Sequence, residues 1–287
     1  MGVKQRKRLL GGMGRDHQDV GTNATDPDGD IQLLHLDHPA DLVRAIGKLH
    51  FLCAQSASRV VFRGQTQLHG GRLFPSLFRG AYCISATEPS RRSEFLKGYL
   101  NVAWNPTYRA KNVTDERCLE PLLQHYGLKT SWIDVVDTVW PALWFATHES
   151  IPNRDPNSQV RRFAKSTREY CYIICLTYRG SGACAEHEGG VTICDDCEIV
   201  DLRRAVNSIF IRPHCQHGCL IRDRSADGDY WNLVQDVIRL PRQSALEWLG
   251  EGQLVSEAFM FPEKDHGLDV LRKHVKPPSG VLGDRFH

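Results

Sequence analysis

From Asp37 onward the apolar positions fall three and four apart. Leu42, Val43, Ile46, Leu49 and Leu52 therefore predict a helix opened by Asp37 or His38, with Pro39 at its N-terminus. A turn-like Ser56 to Ser58 follows, and then a short strand, Val60, Val61 and Phe62, that ends on Arg63 and Gly64. Phe95, Leu96, Tyr99 and Leu100 place a second helix at about 90–103. A third ends at Gly127, which suits a left-handed C-terminal position, while Pro121 leaves its start open. Residues 139–148 form a short, very apolar helix capped by Asp137 or Thr138. A polar loop from Pro152 to Arg168 leads to YCYIICLTY (170–178), the clearest strand of the chain. With helices first, strands later and no βαβ rhythm, the expected class is α+β: N-terminal helices followed by a mainly antiparallel sheet.

The 287 residues suffice for a sizeable core, and 36 basic against 34 acidic side chains leave a net charge of +2. Such a balance gives no global field toward nucleic acid or an anionic membrane, so any such contact must come from a local patch. Leu9 and Leu10 are too short an apolar run for a signal peptide or a membrane helix. Ten cysteines without a secretory signal read as reduced thiols or metal ligands, and the expected compartment is the cytoplasm. Residues 1–30 lack periodicity and read as a disordered basic arm. The main domain runs from 31 to 275 with its core motifs in 55–225, a helical part reaches about 275, and 276–287 form a flexible tail.

A charge at the end of a buried strand is costly unless something pairs with it, so Arg63 calls either for a structural carboxylate or for an anionic ligand. LFPSLFRG (73–80) adds Arg79 sixteen residues on, and two guanidinium forks together match a diphosphate. In LLQHYGLKTSWIDVVDTVWPALWFATHES (122–150), Gln124, His125, Tyr126, Thr130 and Asp134 crowd a helix end and the turn after it. More hydrogen-bonding groups meet there, beside more aromatic ones, than most structural turns need. A histidine in this place can serve as an acid, a base or a neutral donor, and Tyr126 has a ring that can stack; the bland alternative is a capped helix with His125 filling a gap.

The motifs FRGQ (62–65), Leu73-x-Pro75-Ser76-Leu77-x-Arg79, QHYG with Thr130 and Asp134 following, and ALWFA (142–146) resemble the FRG domain in order and spacing over about 55–150. A fainter element, RPHCQHG (212–218), extends the resemblance to about 225. The chain departs from the family after Asp134, where Val135, Val136, Asp137 and Thr138 replace a Trp-Thr pair and an Asn-Pro. Asp137 and Thr138 are expected to rebuild the helix cap. Family members are mostly bacterial and phage proteins.

The same layout is similar to that of ADP-ribosyltransferases, which implies an ADP-ribosyltransferase-like fold and NAD as co-substrate. On that resemblance Arg63, with Gly64 and Gln65, grips phosphate and ribose with help from Arg79 and Thr130. Tyr126 is the platform for nicotinamide and His125 orients ribose or amide. Gln216 stands where a glutamate would steady the ribosyl cation, a charge an amide lacks, so Asp134 or Glu198 is needed in its place. The resulting expectation is a toxin or defence-type enzyme that transfers ADP-ribose to a nucleic-acid or protein acceptor, or hydrolyses NAD, held in check by an antitoxin. The alternative is a non-catalytic module that recognises a nucleotide or nucleic acid with the same Arg, His and Tyr side chains. Separately, Cys194, Cys197, Cys215 and Cys219 have the spacing of a structural zinc site, with Cys184 and His187 nearby. KQRKR (4–8), Arg91 and Arg92, RRFAK (161–165), and Arg203 and Arg204 are short basic segments that read as solvated surface.

Overall fold

A computed structural model describes residues 22–25, 32–79, 85, 87–103, 112–151, 162–179, 186–187, 189–224 and 229–275. In chain order these form β1 (Thr22–Thr25), β2 (Gln32–His35), α1 (Pro39–Gln55), β3 (Ser58–Gln65), α2 (Glu88–Ala103), α3 (Leu119–His125), β4 (Ile133–Val136), α4 (Val139–Thr147), β5 (His148–Ile151), β6 (Arg162–Lys165) and β7 (Tyr170–Arg179). There follow β8 (Glu186–His187), β9 (Val191–Ile193), β10 (Cys197–Asp201), α5 (Leu202–Ala205), α6 (Ile211–Cys215), β11 (Gly218–Asp223), β12 (Val234–Pro241), α7 (Arg242–Trp248), α8 (Glu257–Met260) and α9 (His266–His274). The class is α+β, as the pattern predicts, with ten strands in the order β1-β2-β12-β7-β3-β4-β11-β10-β9-β8. Every pairing is antiparallel except that of β12 with β2.

β7, beside β3 near the middle of this sheet, explains the longest apolar run. β7 pairs with β12 on one side and with β3 along its whole length on the other. Its Cys171, Ile173 and Cys175 enter a core with Leu42, Ile46 and Leu49 of α1 and with Ala142, Leu143 and Trp144 of α4. Ile174, Leu176 and Tyr178 point into a second core with Ile133, Ile199 and Ile221. Covered on both faces, the strand has no polar side to show, and so reads YCYIICLTY. A third cluster gathers Leu119, Leu122, Leu123, Tyr126, Phe210, Leu268 and Leu271 around α3 and α9.

Several expectations are refined. α1 is capped by His38, whose Nδ1 accepts from Ala40 N at 3.2 Å, with Pro39 at the start. Pro121 is the third residue of α3, where its missing N–H has no intrahelical partner to lose, and Gly127 just beyond has φ +106°. The strand expected to end on Arg63 and Gly64 runs on to Gln65 because β7 pairs with it that far. Part of the supposed loop before 168 is β6, which pairs with β5. Thr22–Thr25, inside the supposed arm, pair with β2; the rest of residues 1–30, KQRKR and the tail lie outside the described residues. Thr138 is the N-cap residue of α4 but makes no side-chain cap bond, and Asp137 binds Arg203 Nη2 at 2.6 Å instead of capping the helix.

Among the described residues no helix is long and apolar enough to cross a membrane.

Candidate functional site

β3 and β4 touch through a single pair, Phe62 with Val136, and then part. The carbonyl of Asp134 consequently has no strand partner on that side, and Arg63 supplies one: its Nη1 donates to Asp134 O at 2.7 Å. A cleft of about 440 Å³ opens at the parting, within the size range of small-molecule sites, about 300–1,000 Å³. Arg63, Gly64, Ser76, Arg79, Gln124, His125, Asp134, Gln216 and Gly218 are among its lining residues. Four segments quoted for their motifs thus converge on one cavity.

Gly64 belongs to the packing of the cleft's floor. A Cβ there would stand 1.8 Å from Ala142 O and 2.6 Å from Ala146 N, so the bare Cα is what lets α4 lie against β3. FRG and ALWFA are two halves of one contact. Gly218 has a parallel function, since a Cβ there would meet the His125 ring at 2.8 Å.

The polar core of the site is organised by Gln124, which the sequence reading noted without assigning a role. Its Oε1 accepts from Ser76 Oγ (3.1 Å), Thr130 N (3.2 Å) and Thr130 Oγ1 (2.9 Å), and its Nε2 donates to Asp134 Oδ2 (2.9 Å). His125 Nδ1 lies 3.4 Å from Asp134 Oδ1, while its Nε2 is buried without a hydrogen-bond partner. The Asp134 carboxylate is 41 % exposed and opens to the cleft. Desolvation alone would raise its pKa, but the hydrogen bond and charge of His125, the bond from Gln124 and the charge of Arg63 hold it down at about 2. The group is therefore anionic at any physiological pH.

Arg63 is held at about 10, below the usual arginine range, by burial first and by the charge of Arg79 second, against the pull of Asp134. Both arginines remain protonated at neutral pH. Among the described residues neither makes an ion pair with a carboxylate: Arg63 holds a carbonyl, and Arg79 Nε reaches only Phe74 O at 3.4 Å. Lys129 adds a third cation to the lining.

Other candidates take different places. Tyr126 is fully buried, its hydroxyl donating to Asp265 Oδ1 at 3.1 Å and its ring lying under Arg212, so it offers no platform to a ligand. Thr130 is fully buried and spends its hydroxyl on Gln124. Gln65 is outside the lining; with its amide turned to satisfy both groups, it accepts from Arg63 Nε at 3.2 Å. Gln216 reaches the lining but is buried, and its Nε2 donates to Met260 O at 2.6 Å. Glu198 pairs with Arg222 on the neighbouring strand, away from the cleft.

Cys194, Cys197 and Cys219 are buried in one apolar cluster to which Cys215 does not belong. Burial raises the Cys219 thiol, which favours packing over thiolate chemistry. Among the described residues no group of three or more His, Cys, Asp or Glu side chains is placed to hold a metal ion. Of the basic pairs, Arg91 and Arg92 bind Glu88 and Arg203 binds Asp201 and Asp137, while Arg204 is exposed.

An α+β protein with a cationic cleft at the split of its central sheet is the class that fold and site define. The family model of the FRG domain matches residues 58–155, and the chain carries an FRG domain over that span. No curated protein and no solved structure matches the chain.

Proposed function

We propose that the cleft binds a phosphate-bearing nucleotide and acts on NAD, as an ADP-ribosyltransferase or NAD glycohydrolase of the toxin or defence type, working in the cytoplasm. The observation that carries this reading is the meeting of Arg63 and Arg79 in one small cleft with the ionised carboxylate of Asp134. Two guanidinium groups that, among the described residues, make no ion pair with a carboxylate suit a diphosphate better than they suit the interior of a protein. In the reaction, the bond from ribose C1′ to the nicotinamide nitrogen breaks and its electron pair leaves with nicotinamide. Asp134, in the part first sought in Gln216, steadies the positive charge left on the ribosyl ring. Water, or a nucleophile of a nucleic-acid or protein acceptor, then adds to C1′ and gives up its proton to solvent.

A second reading, a recognition module without catalysis, is favoured by one feature: the Asp134 carboxylate is already tied by Gln124 and His125. Calorimetric titration with NAD, beside an assay for released nicotinamide, separates the two. Binding lost in Arg63→Ala, with release abolished in Asp134→Asn, supports the enzyme. Arg63-dependent binding without release, with candidate acceptors present, supports the module. An absence of NAD binding by the native chain sinks the enzyme reading and leaves the module only with another nucleotide or a nucleic acid as its ligand.

A further inference from the structure

Part of the cleft wall is aromatic. Phe145 of α4, Phe163 of β6 and Phe261, just after α8, all line it and all remain partly exposed, whereas Trp144 behind them is 1 % exposed. The Phe163 and Phe261 rings stack at 4.6 Å, and Phe145 meets Phe261 edge to face at 6.3 Å. Trp144 backs all three at 5.1–5.8 Å. Three distant segments each contribute one ring, and two further contacts fix the last: Arg212 lies over Phe261 at 5.5 Å, and Gln216 holds the carbonyl of Met260 beside it. Ordinary core packing would bury such rings, as it buries Trp144. The aromatic wall is also close to the cationic end, because Phe145 and Arg63 belong to elements whose backbones touch at Gly64.

We propose that Phe145, Phe163 and Phe261 form a ring subsite that receives the planar aromatic base of a nucleotide whose phosphate lies at Arg63 and Arg79. This deepens, and rests on, the nucleotide reading of the same cleft. Aromatic pairs favour offset or edge-on contact, and the arrangement of these rings leaves the ligand's base as the next member of the set. It also takes over the part that the buried Tyr126 cannot play.

Nicotinamide mononucleotide and ribose 5-phosphate differ by the ring, so titrating both into the full chain isolates it. The ring is expected to tighten binding by about tenfold, the effect of one well-placed aromatic contact with its buried area. Phe163→Leu and Phe145→Leu, which keep the site apolar, should each remove most of that difference and leave ribose 5-phosphate binding unchanged. The proposal is overturned if the two ligands bind the native chain equally, if neither binds, or if the leucine variants weaken both alike. Arg63→Ala tests the other end independently. Should it leave both ligands unaffected while the leucine variants still weaken the mononucleotide alone, the ring subsite stands and the phosphate reading falls.

Discussion

The oddity of an arginine and a glycine inside an apolar strand resolves into two separate causes. Arg63 replaces a missing strand partner for Asp134 O, and Gly64 clears room for α4. In Gly64→Ala the new methyl would overlap helix backbone, which cannot swing aside as a side chain can. A loss of at least about 3 kcal/mol is expected, read as a lower urea midpoint at unchanged slope. Asp134 makes a pH prediction. Its native carboxyl takes a proton only near pH 2, whereas the unfolded chain takes one near the ordinary Asp value, about 3.9. Between these values the unfolded state binds more protons, so this contribution is complete above about pH 4 and is lost as pH falls toward 2. Denaturant midpoints at pH 5 and pH 2.5 should differ more for the native chain than for Asp134→Asn, in which no carboxyl remains to titrate. Equal differences would mean that the His125 and Gln124 contacts do not hold in solution.

Among the elements, α3 shows both the reach and the limit of sequence reading. Its end at Gly127 and the gathering of Gln124, His125 and Asp134 were legible, because turn chemistry and helix caps are local. Which way each side chain faces was not. Neighbouring positions on a helix point in directions about 100° apart, so His125 reaches the cleft while Tyr126 enters the core beside Phe210 and Asp265. The aromatic wall was missed for a related reason, since Phe163 and Phe261 are brought to Phe145 only by long-range packing. Asp265 shows what that packing carries: it receives the Tyr126 hydroxyl, caps α9 through Leu268 N at 3.2 Å and pairs with Arg212 at 3.1 Å. Tyr126→Phe should cost about 1–2 kcal/mol and leave NAD binding intact, contrary to what a ring platform would require. Asp265→Ala removes the carboxylate that faces the buried Arg212 and should cost about 3–5 kcal/mol, measured by chemical denaturation.

At the scale of the whole molecule, the matched FRG segment and the physical unit have different limits. Residues 58–155 contain β3, β4 and α4, and with them Arg63, Arg79, His125 and Asp134. They do not contain β7, which pairs with β3 from Ser58 to Gln65, nor β11, which pairs with β4. Without those strands both central strands would have exposed edges, and Phe62, Val60 and Ile133 would lose their cores. The cleft would also lack Phe163, Gln216, Gly218 and Phe261. A fragment of residues 58–155 is therefore expected to show a collapsed, poorly dispersed amide spectrum and no NAD binding, while residues 22–275 give the dispersed spectrum of the full chain and match its affinity. Removing only residues 257–275 is the sharper cut, because the central strands keep their partners while the cleft loses Phe261 and Tyr126 loses Asp265. That chain should retain strand signals in circular dichroism yet bind nicotinamide mononucleotide no better than ribose 5-phosphate. Full ring-dependent binding in its absence would place the ligand's base somewhere other than the wall that Phe261 completes.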